Sequence, residues 1–391
     1  MKLKNNKIER KFPIICIMAF PILSPYKVIG PISFGTILLL IGAISCIKNN
    51  KKIIINKPLT IMICIHMIFS LISVLIQKNY EIYIPTMNSI IMVFLNSILI
   101  MQFINNYDNY ILDKVFRGFA FLVVGFIIYQ SVFIKLGITP HNGMIFKELV
   151  SGYSWSNSII YRRPNSFFAE PSYFSIYVLP LLAYFLLNKK YIMGIIIYIS
   201  IIFSTSTLGI IGGGIVIIYI IIINYDIKIK LKLIYLLPVL FLIMIFLVNK
   251  FNLYWIIEQN LVKIQNLNTE SAIRFTGNLK YFICLNNVYK FIGVGIGQLA
   301  NHLYILGINA YNYSNGIIIV LFNYGILGLI IFIYTCVIYF KNLTKEKKIY
   351  MIIFLLICII DYFIYTPNFY YILFFILIYM NGKNVLIKTK I

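Results

Sequence analysis

The sequence predicts an all-α, polytopic integral membrane protein with about twelve transmembrane helices and two large outward-facing loops, with residues 1–391 as one membrane domain. Three observations carry that prediction. Hydrophobic residues make up 61% of the chain, well above the near-half usual for soluble domains. Apolar runs long enough to span a bilayer recur from end to end. Basic residues outnumber acidic ones 34 to 11, and they fall in the short segments between those runs.

A spanning helix needs about 20 mostly apolar residues. By that measure the spans fall near 12–26, 29–47, 59–76, 85–104, 117–136, 171–187, 191–204, 206–224, 233–249, 315–340, 349–365 and 367–381. The basic start, Met1 to Phe12, resembles a signal peptide, but no small-residue cleavage site follows and the apolar runs simply continue. It reads as the lead into a first span.

Short cytoplasmic loops carry the excess of Lys and Arg. Alternate segments pass that test: the N-terminus, Lys48 to Lys57, Lys114 with Arg117, Lys189 with Lys190, Lys228 to Lys232, Lys341 to Lys348, and Lys383 to Lys390. The short segments between them hold only Lys27 and Lys78, so both termini are expected in the cytoplasm. The long polar connections 137–170 and 250–314 then both face outward. Loops of this length are usually functional or disordered, and the content of Trp155, Trp255, Tyr and Asn argues for order.

Several function classes drop out. Basic residues placed between apolar runs set topology rather than bind nucleic acid. The six cysteines are scattered singly and mostly sit inside apolar runs, which offers neither a disulfide framework nor a metal site. There is no phosphate-binding glycine-lysine loop and no dinucleotide fingerprint, so no cofactor or metal is expected and the driving energy must come from the substrate or a gradient.

Charge at the oily boundary needs a reason, and it concentrates at Tyr161-Arg-Arg-Pro-Asn-Ser-Phe-Phe-Ala-Glu-Pro-Ser-Tyr173. Pro171 suits the first position of a helix, which makes Glu170 its cap. The amides and dipole of that helix would face the outer boundary beside Arg162 and Arg163, where a diphosphate would be favoured. Contact with lipid headgroups and plain helix capping account for the same residues. Arginine is nonetheless scarce: only five of the 34 basic residues, Arg10, Arg117, Arg162, Arg163 and Arg274, are arginines, and three of them fall in the outer loops.

Arg274 lies in Asn268-Thr-Glu-Ser-Ala-Ile-Arg-Phe-Thr-Gly277, ahead of Phe291-Ile-Gly-Val-Gly-Ile-Gly-Gln298. Those glycines fit a phosphate-binding turn only superficially, and a tight turn near the membrane explains them more simply. Asp361, near the outer end of a late span, is a functional candidate because ionisable groups at membrane depth are rare, although a solvated interfacial Asp also fits. His141 and His302 read as outer surface residues able to relay protons, and His66 as a helix-packing residue.

In these stretches the chain resembles the bacterial O-antigen and capsule repeat-unit polymerases (Wzy-type), and behind them the O-antigen ligases. Arg163-Pro-Asn-Ser-Phe-Phe-Ala-Glu-Pro-Ser172 is similar to the family's segment before a span, and Ser204-Thr-Ser-Thr-Leu-Gly209 to the element opening a later helix. The third likeness joins Ser271-Ala-Ile-Arg274, Gly293-Val-Gly295 and the stretch from Ser314 to Gly328 in the family's order. Together they span about half the chain. Ligases commonly have a His-Asn pair where this chain has Ser314-Asn315, and a Ser-Arg pair where it has Ser206-Thr207. Both departures favour a polymerase.

The resemblance implies glycan transfer from an undecaprenyl-diphosphate donor to the non-reducing end of another lipid-linked repeat unit, building O-antigen, capsule or exopolysaccharide. That places the protein in the bacterial cytoplasmic membrane, working at its outer face. Arg163 and Arg274, supported by Arg162, would stabilise the departing diphosphate without a nucleotide or metal. Glu170 would orient or deprotonate the attacking hydroxyl, or else pair with Arg163 to shape the loop. Ser166, Gly293, Gly295, Ser314 and Asn315 would complete substrate binding. A chain-length regulator and a flippase are further partners that the resemblance allows. A ligase, or a transporter or flippase of lipid-linked oligosaccharides, remains the competing expectation.

Overall fold

The computed structural model describes residues 2–77, 80–104, 107–146, 163–224, 279–308, 314–380 and 386–390. Among them are thirteen α-helices and only short strands, so the chain is all-α. Four helices, Lys57–Gln77, Ile82–Gln102, Thr207–Asn224 and Gly316–Asn342, are long and apolar enough to cross a membrane, and six shorter apolar helices accompany them. The expected span 233–249, both tryptophans, Arg162 and Arg274 lie outside the described residues.

The chain divides into two compact units. The first holds α1 (Lys2–Leu23), α2 (Phe34–Asn50), α3 (Lys57–Gln77), α4 (Tyr80–Gln102) and the opening of α5 (Asn109–Lys135). It also holds α9 (Asn287–Ile292), α10 (Leu299–Ile305), α11 (Gly316–Asn342), α12 (Lys348–Ile360) and α13 (Pro367–Ile378). A tight hairpin of β1 (Lys27–Ile29) and β2 (Ile32–Ser33) joins α1 to α2, which pack closely because Gly35 and Gly42 carry no side chain. A Cβ on Gly42 would press on Phe103 at 2.7 Å and Cys16 at 2.8 Å.

Helix α13 is apolar on all sides and buried from Phe369 to Leu377, as a helix with no polar face must be. It packs on α1, α4 and α12. Strands β3 (Lys52–Asn56) and β4 (Leu386–Lys390) pair antiparallel, with Lys52 opposite Lys390 and Ile54 opposite Lys388. Two of the basic segments assigned to one membrane face by charge therefore share one end of this unit.

Some boundaries differ from expectation. The first apolar run is the second half of α1, which begins within the basic segment. The run 349–365 stops at Ile360 because Asp361 is extended (φ −135°, ψ 160°) and residues 361–366 form a turn before α13.

The second unit holds the rest of α5 with α6 (Pro171–Leu187), α7 (Tyr191–Phe203) and α8 (Thr207–Asn224). Helix α6 is its centre, buried continuously from Phe174 to Leu186 against α7 and α8. Glycine again permits the close approach: Gly194 of α7 lies on Leu186, and Gly213 of α8 lies on the Tyr198 ring at 2.6 Å from a would-be Cβ.

Candidate functional site

In the second unit, Gln130 of α5 is fully buried and holds the segment 163–168 by its backbone. Its Oε1 accepts from Asn165 N at 3.0 Å and Ser166 N at 2.8 Å, while its Nε2 donates to Asn165 Oδ1 at 3.0 Å and His141 O at 2.9 Å. Asn165 Nδ2 donates to Phe168 O at 2.6 Å. Ser166 is fully buried in the left-handed region (φ 54°), and its hydroxyl donates to Val123 O at 2.8 Å. Gly143 backs onto the Ser166 carbonyl so closely that any side chain there would collide with it.

That clamp presents Arg163, whose Nε donates to Thr205 Oγ1 at 3.3 Å. Thr205 is itself buried with φ 55°. Among the described residues five non-glycines have positive φ; Lys51 and Lys189 simply end helices, whereas Ser166 and Thr205 both belong to this arrangement. Left-handed non-glycine residues cost about 1–3 kcal/mol each and persist where surroundings over-determine them, typically at functional sites.

Two helix starts meet here. Ser206 opens α8, its Oγ accepting from Gly209 N at 3.2 Å, and Gly209 packs directly on the Ser175 hydroxyl, one turn into α6. Glu170 caps α6 in extended geometry ahead of Pro171, with no capping bond from its side chain. Its Oε2 accepts from Ser172 Oγ at 3.2 Å. Arg163 thus reaches Thr205, and Glu170 reaches Ser172. A guanidinium beside the N-terminal ends of two 17–18-residue helices makes a locally positive field suited to an anion.

The remaining candidates belong to the first unit. Gly293 ends α9 and Gly325 interrupts α11, each with positive φ (83° and 68°). The two breaks interlock: a Cβ on Gly293 would strike the Asn323 carbonyl, and one on Gly325 would strike the Phe291 carbonyl. Val294 N donates to Phe322 O at 2.8 Å and Gly295 N to Asn323 O at 3.1 Å, which satisfies carbonyls ahead of the break in α11. The amides of Val294 and Gly295 are therefore spent on protein backbone in a joint between two segments.

Helix α3 reads that joint with one face. Ser73 Oγ donates to Gly293 O at 2.7 Å, Gln77 Nε2 to Val294 O at 2.7 Å, and Ser70 Oγ accepts from Ile296 N at 3.2 Å. One turn earlier, His66 Nε2 lies 3.0 Å from Gly328 O and must donate to it. Its Nδ1 then accepts from Tyr365 Oη at 2.7 Å. The imidazole stacks on Tyr324 with centroids 4.0 Å apart.

Asn315 caps α11, accepting from Ile318 N at 3.0 Å. Ser314 before it is fully buried, and its hydroxyl has no hydrogen-bond partner. Gly316 N donates to Asp361 O at 2.9 Å, so this start lies against the 361–366 turn. Asp361 is 2% exposed, where a solvated interfacial carboxylate was the simpler expectation. His302 is also buried, edge-on to Tyr289, and burial lowers its pKa below the ordinary imidazole range.

No protein-family model matches this chain, and no curated protein matches it either.

The structure therefore groups Arg163, Ser166 and Glu170 in one unit and Gly293, Gly295, Ser314 and Asn315 in the other. Sequence reasoning missed Gln130 and, apart from His66, the polar face of α3, and it gave no separate role to Thr205 within the Ser204–Gly209 stretch. His66, Ser70, Ser73 and Gln77 recur at i, i+4, i+7 and i+11 within an apolar span, a one-face helical pattern that was open to reading.

Proposed function

We propose that this chain polymerises undecaprenyl-diphosphate-linked oligosaccharide repeat units at the outer face of the bacterial cytoplasmic membrane. In this reading about twelve helices span the membrane and both termini are cytoplasmic. The observation that carries the reading is the Arg163 to Thr205 hydrogen bond. It joins the two family-like stretches, 163–172 and 204–209, where the starts of α6 and α8 meet.

Glycan transfer breaks the anomeric carbon–oxygen bond of the donor, and the electron pair leaves with the lipid diphosphate. Arg163 and the two helix starts stabilise that developing charge; Arg162 and Arg274, which the resemblance also implies, lie outside the described residues. Glu170, half-buried at the cap of α6, takes the proton of the attacking hydroxyl. Ser166 shapes the loop, its hydroxyl being donated to Val123 O, and the glycines at 293 and 295 support the first unit's joint. The test is Arg163→Ala and Arg274→Ala in cells, scored for long surface glycan with the protein's level matched. Loss of long chains is expected, and normal polymer from both variants would overturn the mechanism.

One observation favours a second reading, a transporter or flippase of the same lipid-linked substrate: α11 is broken at Gly325, and transporters bind at broken helices. That protein would move single repeat units outward and make no new glycosidic bond.

A further inference from the structure

Resting on the cytoplasmic placement of the basic segments proposed above, we infer that the β3–β4 sheet is an interfacial contact for anionic phospholipid, its open face lying among the headgroups of the inner leaflet. The glycan chemistry plays no part in it.

Strand β3 is Lys52-Ile-Ile-Ile-Asn56, an unbroken apolar run of the kind carried by strands that are covered on both faces. One face is covered within the chain: Ile54 is 3% exposed and Asn56 is fully buried. Gln102 of α4 holds the strand there, its Oε1 accepting from Ile54 N at 3.1 Å and its Nε2 donating to Ile54 O at 3.0 Å. Strand alternation turns Ile53 and Ile55 to the other face, and the register sets Thr389 and Ile387 opposite them. Ile53 is 39% exposed and Ile387 40%, so this face is apolar and open.

Position selects the occupant. Tyr339 Oη donates to Asn56 Oδ1 at 2.9 Å, which sets the last turn of α11 beside β3. Residues 48–57 and 341–348 therefore meet at one end of the unit. Each stretch holds four lysines, and Glu346 is their one acidic residue. Lys48, Lys51, Lys57, Lys341 and Lys345 are exposed. Helices α3 and α12 both begin on a lysine with no acid in the first turn, against their own dipoles, so the charge serves the surroundings of this end and not the helices.

Lys347 Nζ stands 4.4 Å from the centre of the Tyr379 ring and Lys348 Nζ 4.6 Å from that of Phe340, a pairing of basic and aromatic side chains suited to a membrane interface. An apolar face rimmed by lysines gains from anionic lipid through both buried area and charge. A second copy fits less well. Two partly exposed isoleucines and half-buried Ile55 offer far less than the roughly 800 Å² per partner of a stable interface, and lysines would meet lysines.

The test places full-length protein carrying Cys284→Ser and Ile387→Cys in phosphatidylcholine nanodiscs and labels the new thiol with bimane, the Cys284→Ser protein alone giving the background. Spin-labelled phosphatidylglycerol or spin-labelled phosphatidylcholine, with the nitroxide at the headgroup end of the acyl chain, is then titrated in and quenching followed. Phosphatidylglycerol should quench at about fivefold lower content, and Lys48→Gln with Lys57→Gln should bring the two lipids to within about twofold of each other. Equal quenching by the two lipids with every lysine in place overturns the proposal, even if the lysine variants fail to fold. Quenching by aqueous iodide with none from lipid overturns it too, as does a disulfide between two copies at Ile387→Cys, which would give the face to a second copy. Nanodiscs present the same lipid on both sides, so an inverted topology would change the leaflet and leave this result as it is, and a chain that forms no polymer would leave it untouched.

Discussion

Gln130 is the residue on which the local geometry of the candidate anion site most depends. It meets four polar groups while fully buried, two of them the amides of Asn165 and Ser166. Gln130→Leu should leave those amides unsatisfied and lower stability by roughly 2–6 kcal/mol, at about 1–3 kcal/mol for each. Thermal unfolding in detergent measures this, and a melting point equal to wild type would show that Gln130 is not the clamp. At this scale Arg163 was legible because arginine is rare in a lysine-rich chain. Thr205 lay within the Ser204–Gly209 stretch, but its pairing with Arg163 was not legible, because a hydroxyl 42 residues away leaves no local trace. Ser166 was read as facing a ligand, yet its left-handed backbone turns the hydroxyl toward Val123 O, and no pattern in the neighbouring residues announces that turn.

Helix α11 shows why elements were easier to read than their interruptions. Its apolar length predicts a span, and Gly316–Asn342 is one of the four helices long enough to cross a membrane. The break at Gly325 depends on a distant glycine, since Gly293 must meet Asn323 from another segment. Gly325→Ala adds a side chain at φ 68° against the Phe291 carbonyl, so it should cost well over about 1 kcal/mol and reduce the folded yield sharply. Gly118 of α5 has open space around it, and Gly118→Ala should stabilise by up to about 1 kcal/mol. Monodispersity and melting temperature of the two variants separate these outcomes, and equal tolerance at both sites would contradict the interlocked joint. The early end of α12 has a similar cause: Asp361 uses its carboxylate on Tyr362 N and leaves the helix, though hydropathy alone carries the run onward to 365.

At the scale of the molecule, composition and charge were informative because a bilayer restricts a chain to few solutions. The pairing of β3 with β4 places two lysine-rich segments together, as the charge rule requires of segments on one membrane face. The proposed orientation puts Cys284 outside, and it is the exposed cysteine, the others being buried except for half-buried Cys64 within α3. A membrane-impermeant maleimide applied to intact spheroplasts should label the protein once, and Cys284→Ser should abolish the signal; labelling only after permeabilisation would invert the topology. The central claim is that the protein forms glycosidic bonds with Arg163 stabilising the departing diphosphate. Purified protein in proteoliposomes, supplied with lipid-linked repeat units, addresses it directly. Wild type should yield dimeric and longer glycans with stoichiometric release of undecaprenyl diphosphate, and Arg163→Ala should lose about a hundredfold or more of that rate. Polymer formation by Arg163→Ala at the wild-type rate, or no new glycosidic bond from wild type, would contradict the account.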